Sequence, residues 1–286
     1  MLYRVKYYIR MDYRSPSVDT LYTLFKHARR REHALNILCH RTSVSQERDI
    51  IKMLLGVKWL FNSESDVRKK LVFADVPGQP DKLSWVYQNA GRQYITVAFD
   101  DNILNLKDVK GRIMENTPRV WKYISKGCDT LRNNDIPWLS FGTNASVSRC
   151  RRAGYSNKRL ENSPISDGIV VLNNPLLYRI KFRYKPLGYG YDDIDFNRQL
   201  NRHANAMFGP NSIEKGKHYS LFSTDKGKRH TGSWKKDVEK KFRFVSPLCS
   251  ENEFLDHVSE VARVLRKVPE VREGAKNVLG NRLILD

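Results

Sequence analysis

Cysteine, long apolar runs and acidic residues are all scarce in this sequence of 286 residues. The four cysteines lie far apart and form no C-x-x-C pair, which argues against a zinc ribbon and a disulfide framework. No stretch approaches the roughly 18 uncharged apolar residues that a membrane-spanning helix needs. The first residues carry cations and lack the pattern of a secretory signal. We therefore expect a cytoplasmic or intravirion protein with reduced thiols, neither secreted nor transmembrane.

Several short catalytic motifs are also missing. The sequence has no G-x-x-x-x-G-K-[ST], no G-x-G-x-x-G, no H-E-x-x-H and no G-x-S-x-G. P-loop motors, dinucleotide enzymes, zincins and hydrolase elbows therefore lack support. These absences favour a binding function over catalysis, and no cofactor is expected for it.

The shortage of acids leaves the chain strongly basic. Lys and Arg number 51 against 31 Asp and Glu, which gives a formal net charge of +20 at pH 7. A compact state with this charge repels itself unless a polyanion binds to it. The composition therefore predicts a nucleic-acid partner, RNA or DNA.

Helix and strand signals are mixed in an irregular order, which predicts an α+β fold. Residues 2–11 and 168–172 have strand character, and Ser43 with Gln46 three residues later forms a capping-box pattern that opens a helix. The pattern around Trp85–Tyr87 and Tyr94–Phe99 suits a hairpin. We expect a mixed, largely antiparallel sheet with helices on one face and an exposed basic face.

Three predicted strands sort their residues by parity, with apolar side chains on one face and cations on the other. No acid lies among the cations on these faces, so an extended nucleic-acid backbone could contact several of them. Protection of three sheet edges against aggregation would explain the same pattern without a ligand. The cations are Arg4, Lys6 and Arg10 in the first strand, Arg179, Lys181, Arg183 and Lys185 in the second, and Lys241 and Arg243 in the third.

An arginine-rich loop is the second basic feature. Residues 136–160 contain no acid and include Arg149, Arg151 and Arg152, a residue type suited to phosphate contact. The surrounding region, 128–168, loses apolar periodicity. We treat residues 1–286 as one large domain, although this region could instead separate two halves, 1–127 and 169–286.

An acidic cluster supports a competing interpretation, that the protein is an enzyme. Asp192, Asp193 and Asp195 follow a glycine-rich stretch, and on a strand the spacing of the last two would let them share Mg²⁺ or Mn²⁺. Asp100 and Asp101, directly after a predicted strand, could add a further carboxylate. The alternative function is a metal-dependent nuclease or nucleotidyltransferase. A purely structural explanation of the same acids is that they cap a helix.

Two further alternatives stay open. Glu251-Asn252-Glu253 resembles the Glu-x-Glu element of arginine-type ADP-ribosyltransferases, with Arg4 and the 140–148 loop as counterparts, but the spacings between these elements are too long. Glu251 and Glu253 are equally explained as favourable charges at a helix N-terminus. A basic structural or virion protein packed against a genome would show the same net charge.

Overall fold

The fold is taken from a computed structural model, which describes residues 4–26, 28, 31–108, 112–114, 117–141, 161–162, 168–187, 192–218, 222–226, 250–266 and 269–280. Within them, a π-helical turn spans Leu21–Phe25 and a 3₁₀ turn spans Arg31–Ala34. The strands are β1 (Arg4–Arg10), β2 (Leu35–His40), β3 (Leu71–Ala74), β4 (Tyr94–Asp100), β5 (Ile103–Asp108), β6 (Trp138–Phe141), β7 (Glu161–Asn162), β8 (Ile169–Asn173), β9 (Lys217–His218) and β10 (Phe222–Lys226). The helices are α1 (Val44–Leu55), α2 (Glu64–Lys70), α3 (Gln79–Asn89), α4 (Thr117–Asn133), α5 (Asn174–Arg179), α6 (Asp192–Phe208), α7 (Glu251–Val264) and α8 (Pro269–Leu279).

The main sheet has the strand order β3-β2-β1-β4-β8-β6-β9-β7, and β5 pairs with β10 in a second, two-stranded sheet. Strands β3, β2, β1 and β4 are mutually parallel, whereas β8 is antiparallel to both β4 and β6. The sheet is mixed, as predicted. It is not largely antiparallel, because within its described residues four pairings are parallel and three are antiparallel.

Apolar side chains pack on both faces of this sheet. On one face Ile9, Ile37 and Val97 belong to a core shared with α1, α2 and α4. On the other face Tyr8 and Leu38 belong to a core shared with α3, α5 and α6. The prediction of helices on one face was therefore wrong. Parallel strands joined by helical crossovers are normally covered on both faces, which strand parity alone does not reveal.

Helix starts follow from local sequence signals. The Ser43 hydroxyl accepts the N–H of Gln46 at 3.3 Å, so the predicted capping box opens α1. Asn173 Oδ1 accepts the N–H of Leu176 at 3.2 Å, and the proline in the first turn of α5 has no N–H to satisfy. These caps place α5 directly after β8, where sequence parity had predicted another strand.

The segment after α5 keeps the predicted parity without forming a strand. Phe182 and Tyr184 are each 3 % exposed, while the cations at 181, 183 and 185 are exposed. Lys181 has φ of 54°, in the left-handed region, which ends the helical turn. The segment thus presents a buried aromatic side and an outer cationic side, but it adds no ladder to the sheet.

A bilayer-spanning helix is not found in the described part of the chain, where every helix is too short or too polar to cross a membrane. Cys39 and Cys128 are buried free thiols. The division of the chain at residues 128–168 stays a prediction.

Candidate functional site

The carboxyl ends of β1, β2, β3 and β4 lie along one edge of the sheet because these strands are parallel. The chain runs from β1 outward to β2 and β3 and then returns to the other side of β1 with β4. Such a reversal of strand order is the topological switch point at which open α/β sheets bind ligands. The charged residues gathered there, which we call the switch-point site, are Arg10, Asp12, Lys82, Asp100 and Asp101.

Arg10 and Asp100 form a buried ion pair across the switch point. Arg10 Nη2 donates to Asp100 Oδ1 at 2.8 Å, and the two side chains are 5 % and 10 % exposed. The Nε of Arg10 is also buried and has no hydrogen-bond partner in the described structure. A buried guanidinium N–H without an acceptor is unfavourable.

Asp101 organises the connection that follows β1. Its Oδ2 accepts the backbone N–H of Asp12 at 3.0 Å and that of Ser17 at 3.3 Å. Thr20 donates its hydroxyl to the carbonyl of Asp100 at 2.5 Å and accepts the N–H of Ile103 at 3.0 Å. The loop after β1 is therefore tied to the two acids at the end of β4.

Lys82, in the first turns of α3, is only 2 % exposed. Burial lowers the pKa of its ammonium, while the negative charges of Asp12 and Asp101 act in the opposite direction. Arg10 adds a further lowering of this pKa. Lysine is almost never fully buried without a counter-charge, and Asp12 and Asp101 are the acids whose charges raise this pKa.

His40 and Asp81 lie farther along the same edge. His40 Nδ1 accepts the N–H of Val76 at 3.1 Å, so a neutral ring carries its proton on Nε2. Its ring lies 4.8 Å from that of Tyr13 between centroids. Asp81 caps α3 by accepting the N–H of Gly78 at 2.9 Å, and burial raises the pKa of its carboxyl.

The predicted cationic face of β1 is not an exposed surface. Arg4 is exposed, but Lys6 lies over the Tyr94 ring with Nζ 4.2 Å from its centroid. Tyr8, expected as an exposed stacking ring, is 4 % exposed and contacts Trp85 edge to face. Arg10 is buried against its acid, because β1 is an interior strand covered by α3.

The cations predicted on the second strand also meet acids. Arg179 Nη2 lies 2.7 Å from Asp135 Oδ1, and Lys185 Nζ lies 3.3 Å from Glu253 Oε2. Lys181 and Arg183 are exposed on the segment after α5. The expectation that no acid faces these cations is therefore wrong for Arg179 and Lys185. The other predicted contacts, Arg149, Arg151, Arg152, Lys241 and Arg243, lie outside the described residues.

Asp195, one of three predicted metal ligands, is buried within α6. Its Oδ2 accepts from the Tyr184 hydroxyl at 3.2 Å, from Gln199 Nε2 at 3.0 Å and from the N–H of Leu187 at 3.4 Å. Its Oδ1 accepts from Arg198 Nη2 at 3.2 Å. These four donors make Asp195 the centre of a structural network.

Asp192 and Asp193 are the first two residues of α6, so the strand spacing assumed for Asp193 and Asp195 is wrong. The side chains of Asp192 and Asp193 lie outside the described structure. No group of three or more His, Cys, Asp and Glu side chains is close enough to bind a metal ion in the described residues. The metal role of the three acids stays a prediction.

The Glu-x-Glu element begins α7 as a cap. Glu253 accepts the N–H of Ser250 at 2.9 Å and returns its own N–H to the Ser250 hydroxyl at 3.3 Å. The N–H of Ser250, its hydroxyl, which donates to Glu253 Oε2 at 2.8 Å, and then Lys185 lower the pKa of Glu253 to about 2. Helix capping thus accounts for the acids that resemble an ADP-ribosyltransferase element.

Sequence reasoning noted Asp100 and Asp101 but missed their partners. Arg10 was predicted to lie on a phosphate-binding surface, and neither Asp12 nor Lys82 was predicted as a site residue. Arg10 and Asp12 share one readable signal with Asp100 and Asp101, a charged position at the end of a predicted strand. Lys82 had no such signal, because it lies before the predicted hairpin strand Trp85–Tyr87 and no helix was predicted there.

Comparison with known proteins gave no matching family model and no matching curated protein. One similar solved structure is the mannosyltransferase PcManGT from Pyrobaculum calidifontis in complex with GDP-Man and Mn²⁺, with 11 % identity and a TM-score of 0.49 over 98 % of this chain and 75 % of that chain. Another is S. aureus TarS 1-349 in complex with UDP-GlcNAc, with 10 % identity and a TM-score of 0.46 over 98 % of this chain and 80 % of that chain. At these values the likeness is one of general chain path and carries no activity across.

The prediction of a protein that binds RNA or DNA through a cationic sheet face is wrong. On the first of its three strand faces only Arg4 is exposed, and the second does not form a strand. The basic net charge remains, but the sheet does not present it as a continuous surface.

Proposed function

We propose that this chain is a transferase that binds a nucleotide sugar at the switch-point site and passes the sugar to an acceptor. One observation carries the proposal: Asp100, the last residue of β4, pairs with Arg10, and Asp101 follows it, at the reversal of strand order where nucleotides bind in open α/β sheets. The buried cations Arg10 and Lys82 add positive charge beside these acids. The combination suits a ligand that brings both phosphates and a metal ion.

A divalent cation fits the donor set of this site. Asp100 and Asp101 offer carboxylate oxygens, the hard ligands that Mg²⁺ and Mn²⁺ prefer. The described residues hold no cluster of three metal-binding side chains, and Mg²⁺ bound with phosphates needs only one or two carboxylates from the protein. When bound there, the cation would offset the charge on the departing nucleoside diphosphate.

Residues of the chain hold the acids and the loop of the switch-point site in fixed positions. Arg10 fixes the carboxylate of Asp100, and Asp101 fixes the backbone at Asp12 and Ser17. A donor lying on this edge meets acids and a loop that are already ordered, which reduces the reorganisation required on binding. In the transfer, the bond between the sugar carbon and the β-phosphate oxygen breaks. An acceptor oxygen forms the new bond and releases its proton to solvent, while the nucleoside diphosphate leaves.

Calorimetric titration tests the binding part of the proposal. GDP-Man and UDP-GlcNAc are the first probes, with and without Mn²⁺, because these nucleotide sugars occupy the two similar structures. We expect one of them to bind more tightly in the presence of Mn²⁺. We also expect its slow hydrolysis to the nucleoside diphosphate and the free sugar. Absence of binding by both sugars and by GDP and UDP, with and without Mn²⁺, would overturn the proposal.

The variant Asp101→Asn locates the site. Its amide oxygen can still accept the two backbone N–H groups, so the loop after β1 stays in place while the negative charge is lost. We expect the Mn²⁺-dependent gain in nucleotide affinity to fall by at least about tenfold, equivalent to about 1.4 kcal/mol. Asp49→Asn on exposed α1 removes the same charge elsewhere and is the matched control. Equal affinity in the two variants would place the nucleotide away from Asp101.

A further inference from the structure

The C-terminal turn of α6 is exposed to solvent. All four residues from 205 to 208 are exposed, and they include two adjacent large apolar side chains, Met207 at 46 % and Phe208 at 54 %. The N–H of Gly209 bonds to the carbonyl of Asn205 at 3.0 Å, so the helix is regular up to this glycine. A Cβ added at Gly209 would meet no atom within 4 Å. The helix therefore holds two large apolar side chains in water, which is unfavourable while nothing covers them.

The segment after α5, residues 180–187, runs antiparallel to α6 and ends beside its first turns. Contacts at successive turns of the helix hold the segment there: Leu187 with Asp195 at 3.4 Å, Lys185 with Gln199 at 3.1 Å, and Ile180 with His203 at 2.6 Å. His203 lies one helical turn before Met207. Residue 181 is therefore next to the part of α6 that leads into the exposed apolar pair.

The outer side of this segment carries positive charge near that pair. Lys181 and Arg183 are exposed, and among the described ion pairs neither of them has an acid as partner. Two other cations along α6 are paired, Lys185 with Glu253 at 3.3 Å and Arg202 with Asp256 at 3.2 Å. The uncompensated charge thus lies at the end of the segment that adjoins the C-terminal turn of α6.

We propose that Met207, Phe208, Lys181 and Arg183 form a docking surface for an anionic lipid bilayer. The two apolar side chains enter the boundary between headgroups and acyl chains, while the two cations contact lipid phosphates above it. A bilayer with anionic headgroups offers negative charge and apolar material in adjacent layers, which matches both halves of this surface. A second copy of the chain fits less well, because the formal net charge of +20 opposes self-association.

Co-sedimentation of the full chain with lipid vesicles tests the proposal. The probes are vesicles of phosphatidylcholine alone and vesicles of phosphatidylcholine and phosphatidylserine in equal parts. We expect the chain to bind the mixed vesicles at least about tenfold more tightly than the neutral ones, since each cation near an anionic surface adds to the affinity. This difference should shrink as the salt concentration rises.

Two sets of variants separate the apolar and the cationic contributions. Phe208→Ser should weaken binding to the mixed vesicles by about tenfold, because an apolar side chain is no longer buried in lipid. Lys181→Asn combined with Arg183→Gln should weaken it by about tenfold as well, but should leave binding to neutral vesicles unchanged. Asparagine is chosen at 181 because it tolerates the φ of 54° found there.

The matched controls lie on exposed positions of α1. Val44→Ser removes an apolar side chain that is 65 % exposed, and Lys52→Gln removes a cation. Both controls should bind vesicles like the wild type. Since all the substituted side chains are exposed, every variant should keep the melting temperature of the wild type, so that a loss of binding reports on the surface and not on the fold.

Other outcomes overturn the proposal. Equal binding to the two kinds of vesicle, or binding to neither, would show that this surface does not recognise anionic lipid. Variants that bind like their controls would place the contact elsewhere on the chain. A dimer of the lipid-free chain in analytical ultracentrifugation, dissociated by Phe208→Ser, would show that the apolar pair contacts a second copy instead of a bilayer.

Discussion

The described residues include two buried Arg–Asp ion pairs, Arg10 with Asp100 and Arg198 with Asp195. The two pairs differ in sequence separation and in surroundings. Arg10 and Asp100 join adjacent parallel strands and are 90 positions apart in the chain. Arg198 and Asp195 lie three residues apart within α6. Both pairs have side chains that are no more than 10 % exposed.

Their surroundings separate them. Asp195 is enclosed by the Tyr184 hydroxyl, the Gln199 amide and the N–H of Leu187, and His257 Nδ1 lies 3.9 Å from its Oδ1. Asp100 instead lies beside Asp101, in the switch-point site, which also contains Lys82 and Asp12. The first pair closes a contact between α6, α7 and the segment after α5. The second leaves charge at a sheet edge, which is why we place the ligand there.

The largest effect should come from breaking the enclosed pair. Asp195→Ala leaves Arg198 buried without its counter-charge and leaves three other hydrogen-bond donors without their acceptor. We therefore expect a loss of about 3–5 kcal/mol in the free energy of unfolding. Urea denaturation followed by fluorescence measures it. Asp195→Asn retains an acceptor oxygen and should lose less. A loss below about 1 kcal/mol in the alanine variant would show that this network is dispensable.

Arg10→Met should destabilise by about 3 kcal/mol, because Asp100 is then buried without its cation. Here the two pairs should diverge in their response to metal. Mn²⁺ should restore part of the melting temperature of Arg10→Met, since it supplies positive charge at the acids of the switch-point site. It should leave Arg198→Met unchanged. Equal rescue of the two variants in thermal denaturation would contradict the distinction drawn between the pairs.

Gly216→Ala probes the packing on the α6 side. A Cβ at this glycine would come within 1.9 Å of the Trp138 ring, whose Nε1 donates to Asn197 Oδ1 at 3.3 Å. Displacement of a buried tryptophan should cost about 1–3 kcal/mol of stability. Chemical denaturation gives this value, and nucleotide affinity at the switch-point site should stay constant. Gly209→Ala, where no atom lies within 4 Å of the added Cβ, tests the backbone effect at a left-handed glycine without such a clash.

Ser250→Ala should have the smallest effect, about 1 kcal/mol, because it removes the N-cap of α7. The pKa of Glu253 is lowered from 4.5 to about 2 chiefly by Ser250, so its stabilising contribution is complete above pH 4.5 and is lost as the pH falls through about 2. The difference between variant and wild type should therefore shrink on acidification. Denaturation midpoints across this interval measure it, and a difference that stays constant with pH would exclude the role of Glu253 in the cap.

Local signals predicted the local structure well. The alternation at the N-terminus is strand β1, and the capping pattern at Ser43 opens α1. The same reasoning failed at Trp85–Tyr87, where three residues with strand propensity lie inside helix α3. Tertiary packing decides such short apolar stretches, since either structure can bury them.

The candidate site was only partly visible in the sequence. Asp100 and Asp101 stand directly after a strand pattern, so their position at a sheet edge could be anticipated. Their pairing with Arg10 depends on β4 lying next to β1, which no local pattern indicates. Likewise, the apparent row of cations on β1 became a buried pair and a ring contact because the strand is central rather than at an edge.

The central position of β1 also has a consequence for how the chain folds. Strand β1 pairs with β2 along one edge. Its other edge pairs with β4, which comes much later in the chain. Closing such a long loop between parallel strands is slow, because much chain entropy is lost before the contacts form. Strand β4 supplies both the second neighbour of β1 and the acid that pairs with Arg10, so the pairing of these two strands completes the core and the switch-point site together.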